Sequence, residues 1–122
     1  MPKTKVIIYR ESDSTIPLFD WLDQQSEAAR EKCITVISLL AESGFELRRP
    51  VCDYLRDGVY ELRTRSGTVN YRILYGFAGQ NIVLLSHGLT KEAAIPPKEI
   101  ERAIKNMKRF KQNPKAHTES ES

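Results

Sequence analysis

Three runs of alternating apolar and polar residues, separated by short turns, constrain the fold of this chain more than any other feature. The runs are Val59–Arg65, Val69–Phe77 and Ile82–Leu89, with Ser66-Gly67 and residues 78–81 between them. Alternation with a period of two is typical of strands, and gaps this short connect antiparallel neighbours. The pattern therefore predicts a three-stranded antiparallel meander.

The segments on either side of the meander have other patterns. Before it, Val6–Tyr9 is β-branched and aromatic and predicts a strand, Pro17 suits the first turn of a helix, and Ser26 and Gly44 suit the start and end of a second helix. Residues 45–57 indicate a loop or a short strand. After the meander, an apolar stripe predicts a last helix packed on the sheet: Ile100, Ala103, Ile104, Met107 and Phe110. The expected fold is α+β, in the order β-α-α-β-β-β-α.

Length and composition point to one modest domain. Of the 122 residues, we assign 1–111 to this domain and 112–122 to a polar, flexible tail. The formal net charge of +3 permits a nucleic-acid partner without requiring one. Cys33 and Cys52 have no metal-ligand spacing, and no apolar run approaches the ~18 residues of a membrane span. We therefore expect a cytoplasmic protein with reduced thiols, without a metal, a cofactor or a membrane partner.

Pairing the strands brings charged side chains together. If Ser66-Gly67 forms a two-residue turn, Glu61 faces Arg72, and the second hairpin then places His87 opposite Arg72. Side chains alternate between faces, so Glu61, Arg72 and His87 are expected to form one row, with Arg63 diagonal to Arg72. The opposite face is expected to lie in the core: Tyr60, Leu62, Tyr71, Ile73 and Tyr75.

This row has the side chains that RNA cleavage without a metal requires. A base must deprotonate the ribose 2′-hydroxyl, cations must stabilise the charged transition state, and an acid must protonate the leaving 5′-oxygen. His87 suits acid or base work near neutrality, Arg72 suits phosphate, and Glu61 suits orienting Arg72 or acting as the base. Three further residues are candidate phosphate ligands: Arg63, Arg65 and Lys91. The motifs of nucleotide hydrolysis, zinc chemistry and serine-type acyl transfer do not occur in the sequence.

Each of these residues also has a structural interpretation. Glu61 and Arg72 suit an ordinary cross-strand ion pair, worth at most ~1 kcal/mol. His87 suits a half-buried, hydrogen-bonded structural histidine. The functional interpretation therefore depends on the convergence of these residues and not on any one of them.

Four short motifs in order resemble the phage-derived Gp49-like, HigB-type branch of the RelE/ParE toxin superfamily. The motifs are Gly58–Arg63, Tyr71–Tyr75, Leu85–Lys91 and Pro97–Ala103, and the resemblance is clearest over residues 53–110. It implies a RelE-like fold and the toxin of a type II toxin–antitoxin module. Many such toxins cleave mRNA on the ribosome and are inhibited by a helix-turn-helix antitoxin, here of the HigA-like kind.

The resemblance also implies which residues form the site. The conserved arginines of the family match Arg63 and Arg72, its histidine matches His87, and its lysine matches Lys91. Two positions that are often basic in the family are instead Glu92 and Ile95. Those departures reduce the positive charge at one edge of the expected site.

Two other functions stay open at this point. A non-enzymatic poison of the ParE-like branch would bind and trap a target such as DNA gyrase, without dependence on His87. A regulatory relative without RNase activity would bind only its antitoxin and operator.

Overall fold

A computed structural model, which describes residues 4–90 and 93–119, has a six-stranded sheet with helices on both faces. The helices are α1 (Pro17–Asp23), α2 (Glu27–Ser43) and α3 (Pro97–Gln112), and a 3-10 turn, Gly44–Glu46, follows α2. The strands are β1 (Lys5–Tyr9), β2 (Cys52–Arg56), β3 (Val59–Ser66), β4 (Val69–Gly79), β5 (Ile82–Thr90) and β6 (Thr118–Glu119). The α+β class is confirmed, and the structure adds β2 and β6 to the predicted order.

The ends of α2 follow directly from the sequence. The Ser26 hydroxyl accepts a hydrogen bond from the Ala29 amide at 3.1 Å, which satisfies one of the free amides of the first turn. At the other end, Gly44 has φ +54°, a left-handed conformation that glycine adopts without strain. By contrast, α1 begins at Pro17 after Ile16, which supplies no side-chain cap.

The core has two layers because both faces of the sheet are covered. One layer lies between the sheet and helices α1 and α2, and it contains the predicted core residues Leu62, Tyr71, Ile73 and Tyr75. The other layer lies beneath α3, where Met107 and Phe110 pack on β1 and β5, and Ile100 and Ala103 pack on Val59 and Leu74. The face expected to carry the charged row is therefore the face that α3 covers.

The sheet order is β2-β3-β4-β5-β1-β6, and β1 pairs with β5 in parallel. After β1 the chain passes to α1 on one face, whereas after β5 it passes to α3 on the other. Two adjacent parallel strands whose connections leave on opposite faces form a crevice beyond their carboxyl ends. This crevice lies next to His87, near the end of β5.

The predicted strand register is wrong by two residues in the first hairpin. In the second hairpin it is wrong by one residue over Tyr75–Phe77 and by two residues over Tyr71–Leu74. Arg63 pairs with Arg72, because the turn lies at Gly67-Thr68 and Ser66 belongs to β3. Leu74 pairs with His87, so the predicted row Glu61–Arg72–His87 is a row of Glu61, Leu74 and His87. A shift by an even number preserves the face of a side chain, so the predicted faces are retained in β3 and β4 while the neighbours change. In β5 an extra residue, Ser86, places Val83 and Leu85 on the face opposite to His87, although the alternation predicts one shared face.

The last described residues pack against the sheet. The sequence predicts a flexible tail from Gln112, yet β6 pairs antiparallel with β1, and the ring of His117 stacks on Tyr9 with 5.3 Å between ring centroids. No helix in the described ranges is both long and apolar enough to cross a membrane.

Candidate functional site

Two opposed arginines and one buried carboxylate form the charged centre of the β3–β4 pair. Glu61 is 2% exposed, and its Oε2 accepts hydrogen bonds from Arg63 Nε at 3.1 Å and Nη2 at 2.9 Å. Its Oε1 accepts a hydrogen bond from Arg72 Nη1 at 2.7 Å. Like charges directly opposite on neighbouring strands repel each other. The carboxylate of Glu61 offsets that repulsion and holds both guanidinium groups in fixed positions.

The network continues to the edge of the sheet. Arg63 Nη2 also donates to Asp53 at 3.2 Å, and Asp53 receives two hydrogen bonds from Arg49 at 3.0 and 3.1 Å. Partial desolvation opposes ionisation of Asp53, but the hydrogen bonds and charge of Arg49 and the charge of Arg63 lower its pKa below the usual value. Three guanidinium groups and two carboxylates leave this cluster with one net positive charge.

Both arginines of the opposed pair keep donors for a ligand. Within the described chain, Arg72 uses only Nη1, and Arg63 uses Nε and Nη2, so each guanidinium has unused N–H groups. The side chain of Arg63 is 35% exposed and that of Arg72 is 14% exposed. Arg65 lies further along the same face of β3, is exposed, and donates to the Gly67 carbonyl. Lys91, the fourth predicted cation, lies outside the described residues, as does Glu92.

His87 belongs to a separate hydrogen-bond network beneath α3. Its Nε2 lies 3.0 Å from Glu99 Oε1, and because a carboxylate only accepts, Nε2 carries the proton. Its Nδ1 then accepts from the Ser86 hydroxyl at 2.7 Å, and Ser86 Oγ in turn accepts from Asn106 Nδ2 at 2.9 Å. A β-bulge at Ser86 directs two consecutive side chains toward α3. Each of these four side chains therefore has at least one hydrogen-bond partner.

This network resembles a serine–histidine–acid relay in its order of bonds but not in its accessibility. Ser86 is fully buried and His87 is 1% exposed, so the Ser86 hydroxyl cannot attack a substrate. Burial, and to a smaller extent the nearby charge of Arg102, lower the pKa of His87 to about 4, although the hydrogen bond and the charge of Glu99 oppose this shift. His87 is therefore neutral at physiological pH, and both of its ring nitrogens are engaged.

The arginine pair and His87 do not meet as predicted. Leu74 stands between Glu61 and His87 in their shared row, and it is fully buried against Ile95 and Ile100. Ile95 is one of the two positions that are often basic in the resembled family. Here it is a core position packed beneath the sheet face, which explains why a charge is absent there.

A cleft with a volume of about 780 Å³ lies at the carboxyl ends of β1 and β5. One wall comes from the start of α1 and the loop before it, and it is acidic. The other wall comes from α3 and is basic. The residues that define its chemistry are His87, His117, Arg102, Arg109, Glu11 and Trp21. Gly88 lets the Trp21 ring approach β5, because a Cβ at this position would collide with that ring.

Sequence reasoning missed His117, which lies between α3 and β6. Its Nδ1 lies 2.7 Å from the Arg10 carbonyl, so Nδ1 carries a proton. His117 is 7% exposed and lies in a polar segment without periodicity, and no local signal indicated that it would be buried. The only available signal was its rarity, since the chain has two histidines.

The described residues offer no cluster of His, Cys, Asp and Glu that could hold a metal ion. Cys33 and Cys52 are both free and buried. Burial raises the pKa of the Cys33 thiol to about 11, so this side chain is an inert core residue at neutral pH.

Residues 20–108 match the family described as phage-derived protein Gp49-like. This range contains the arginine cluster, the His87 network and most of α3. No curated protein is similar enough to the chain to count as a match.

Proposed function

The chain belongs to the phage-derived Gp49-like family, a family of the RelE toxin type, and from this we propose that it is the toxin of a type II toxin–antitoxin module that cleaves mRNA. The partners are then a cognate HigA-like antitoxin with a helix-turn-helix domain, and mRNA bound to the ribosome. Cleavage proceeds by attack of the ribose 2′-hydroxyl and requires no metal.

The observation that carries this proposal is the opposed pair Arg63 and Arg72. Two guanidinium groups held close together by one carboxylate, with unused donors on both, fit the two non-bridging oxygens of a phosphodiester. Because Glu61 fixes their positions before RNA arrives, the donors require little reorganisation when they bind a phosphate. Arg65 and Lys91 extend the phosphate-binding surface in this proposal.

The remaining roles follow from the hydrogen bonds. Glu61 acts mainly as the residue that orients Arg63 and Arg72, because both of its oxygens accept from them. His87 enters the chemistry as acid or base only if RNA displaces Glu99 or Ser86 from its ring nitrogens. Without such displacement, it anchors α3 to β5.

Inducible expression of matched variants tests the proposal. Wild-type protein is expected to arrest growth and degrade transcripts, whereas Arg72→Lys, which keeps the charge beside Glu61 but loses the planar fork, is expected to lower cleavage at least about tenfold. Lys32→Ala removes one charge from the exposed surface of α2 and serves as the control. Undiminished cleavage by Arg72→Lys and by Arg72→Ala would show that the arginine pair is not the phosphate site.

A second function is favoured by one observation, the closed environment of His87. A ParE-like poison that traps its target needs no acid or base, and a histidine with both nitrogens engaged suits that role. Such a protein would arrest growth with intact transcripts and with induction of the DNA-damage response. Antitoxin binding without any arrest would instead indicate a regulatory relative.

A further inference from the structure

We infer that His117 is the acid–base residue of the proposed RNA cleavage, acting from the cleft at the carboxyl ends of β1 and β5. The inference rests on the proposed endoribonuclease function and assigns to the same reaction a residue outside the predicted site. It follows from the hydrogen bonds of the two ring nitrogens of His117 and from the position of the ring.

The hydrogen bond to the Arg10 carbonyl fixes the tautomer of His117. The Arg10 carbonyl accepts the Nδ1 proton, so the neutral ring has its lone pair on Nε2. A histidine held by an Nδ1–H bond to a carbonyl oxygen presents Nε2 as a base in a fixed direction. The stacked ring of Tyr9, with 7° between the planes, restricts rotation of the imidazole further.

Nε2 of His117 is accessible from the cleft. Nε2 of His117 has no hydrogen-bond partner in residues 4–90 and 93–119, yet no buried side-chain nitrogen or oxygen there is unsatisfied. Nε2 therefore reaches solvent although the residue as a whole is 7% exposed. His117 lines the 780 Å³ cleft, so this is the space that Nε2 shares with a ligand.

Charged side chains from several elements surround His117. Arg109, from α3, lies across the cleft and supplies a cation for phosphate, and it also donates to Glu11 at 3.3 Å. Arg109 offsets the charge of Glu11, which also accepts a hydrogen bond from the Tyr9 hydroxyl at 3.1 Å. Arg10 lies 3.8 Å from Glu119, and these two charges compensate each other. Arg102, two helical turns before Arg109, adds a second cation to the same wall.

The remaining carboxylates limit which part of RNA fits. Asp13 accepts hydrogen bonds from Thr15, and Asp20 is exposed on the α1 wall. Acceptors on this wall suit the amino groups of a base, and Trp21 supplies an apolar surface, whereas the arginines on the α3 wall suit phosphate. The cleft therefore fits one nucleotide with its scissile phosphate toward α3, and the Arg63–Arg72 pair binds a different phosphate of the same RNA.

In the proposed reaction, His117 is the base and water is the acid. Nε2 of His117 takes the proton of the 2′-hydroxyl while the 2′-oxygen forms a bond to phosphorus. The bond between phosphorus and the 5′-oxygen breaks, and that oxygen takes a proton from water. The products are a 2′,3′-cyclic phosphate and a 5′-hydroxyl, and His117 returns its proton to solvent.

The test uses the full-length protein with mRNA on purified translating ribosomes, and single-turnover cleavage rates are measured from pH 5.5 to 8. His117→Asn places an amide near Nδ1, so the bond to Arg10 is retained while the base is lost. We expect cleavage to fall about 100-fold or more and the rise of rate with pH to disappear. Lys115→Ala, an exposed neighbour in the same turn, is expected to retain the wild-type rate and pH profile.

The outcomes separate the two proposals. If wild-type protein cleaves and a folded His117→Asn, checked by circular dichroism and thermal melting, cleaves at the same rate with the same pH profile, His117 is not the base and the arginine site stands alone. If His117→Asn is unfolded, His117→Gln and His117→Phe are measured, and equal activity in either folded variant overturns the inference. If wild-type protein cleaves no RNA, the proposed function fails, and the role of His117 fails with it.

Discussion

The two histidines of this chain are almost equally buried and have opposite hydrogen-bond environments. His87 is 1% exposed and has partners on both ring nitrogens, Ser86 and Glu99. His117 is 7% exposed and has a partner on Nδ1 alone among the described residues. Burial therefore does not distinguish a structural from a reactive histidine here, whereas the number of engaged nitrogens does.

The two histidines also differ in their positions in the fold. His87 lies within β5, directly after the bulge at Ser86, where a helix covers it. His117 lies in a short connection between α3 and β6, held by one backbone contact and one aromatic ring. Residues that act on ligands often lie on such connections, positioned by a rigid scaffold.

The largest expected difference between the two histidines is in stability. Removing the ring in His87→Ala leaves a cavity and deprives Ser86 and Glu99 of partners, so we expect a loss of about 4 kcal/mol in the free energy of unfolding. His117→Ala removes one hydrogen bond and one stacking contact, and about 1–2 kcal/mol is expected. Urea unfolding of both variants measures this, and an equal loss would remove the distinction between the two environments.

A second difference concerns the pH dependence of stability. The pKa of His87 is lowered from 6.5 to about 4 in the folded protein, so the unfolded chain binds this proton more tightly. The stabilisation is fully present above pH 6.5 and is lost as the pH falls from 6.5 toward 4, by up to roughly 3 kcal/mol. Unfolding of wild type and His87→Gln at pH 7.5, 6 and 5 isolates this contribution, because other groups titrate in both proteins. Parallel stability curves for the two proteins would show that His87 does not titrate in this way.

Ser86→Ala tests the continuity of the His87 network. The substitution leaves His87 Nδ1 and Asn106 without their shared partner, so about 1–2 kcal/mol of stability is expected to be lost. Ser12→Ala, at an exposed serine on the rim of the cleft, is the control and is expected to change stability by less than about 0.5 kcal/mol. A negligible loss for Ser86→Ala would indicate that water replaces the hydroxyl.

The smallest expected effect concerns the ring under His117. Tyr9→Phe keeps the stacked ring and removes only the hydroxyl that donates to Glu11, so a loss below about 1 kcal/mol is expected by thermal melting. Tyr9→Leu removes the aromatic contact as well and should cost more. Equal melting temperatures for these two variants would show that stacking does not hold His117.

Much of the fold is predictable from the sequence, because the period at which apolar residues recur indicates whether a segment is a strand or a helix. The alternation in Val59–Arg65 and its two successors identifies the strands. It also identifies the face of each side chain in β3 and β4, but not across the bulge at Ser86 in β5. The turn position is not fixed by the same pattern, since Ser66-Gly67 and Gly67-Thr68 both place a glycine in the turn. The resulting error of two residues exchanged the neighbours of Arg72 while preserving its face.

The site is less predictable than the fold for two physical reasons. The apolar stripe of α3 shows that it packs on the sheet but not on which face, so the burial of His87 could not be foreseen. The segment after Gln112 has no periodicity, and its order comes from β6, from the stacked Tyr9 and from the bond of His117 to Arg10. Such contacts between distant parts of the chain leave no local signal.

The chemistry of the RNA ends tests the central claim most directly. The purified protein is incubated with mRNA on translating ribosomes, and both ends created at each cut are identified. Attack by the 2′-hydroxyl predicts 2′,3′-cyclic phosphate and 5′-hydroxyl ends, with little cutting by Arg72→Ala under the same conditions. Intact mRNA, or cuts with 3′-hydroxyl and 5′-phosphate ends, would contradict it.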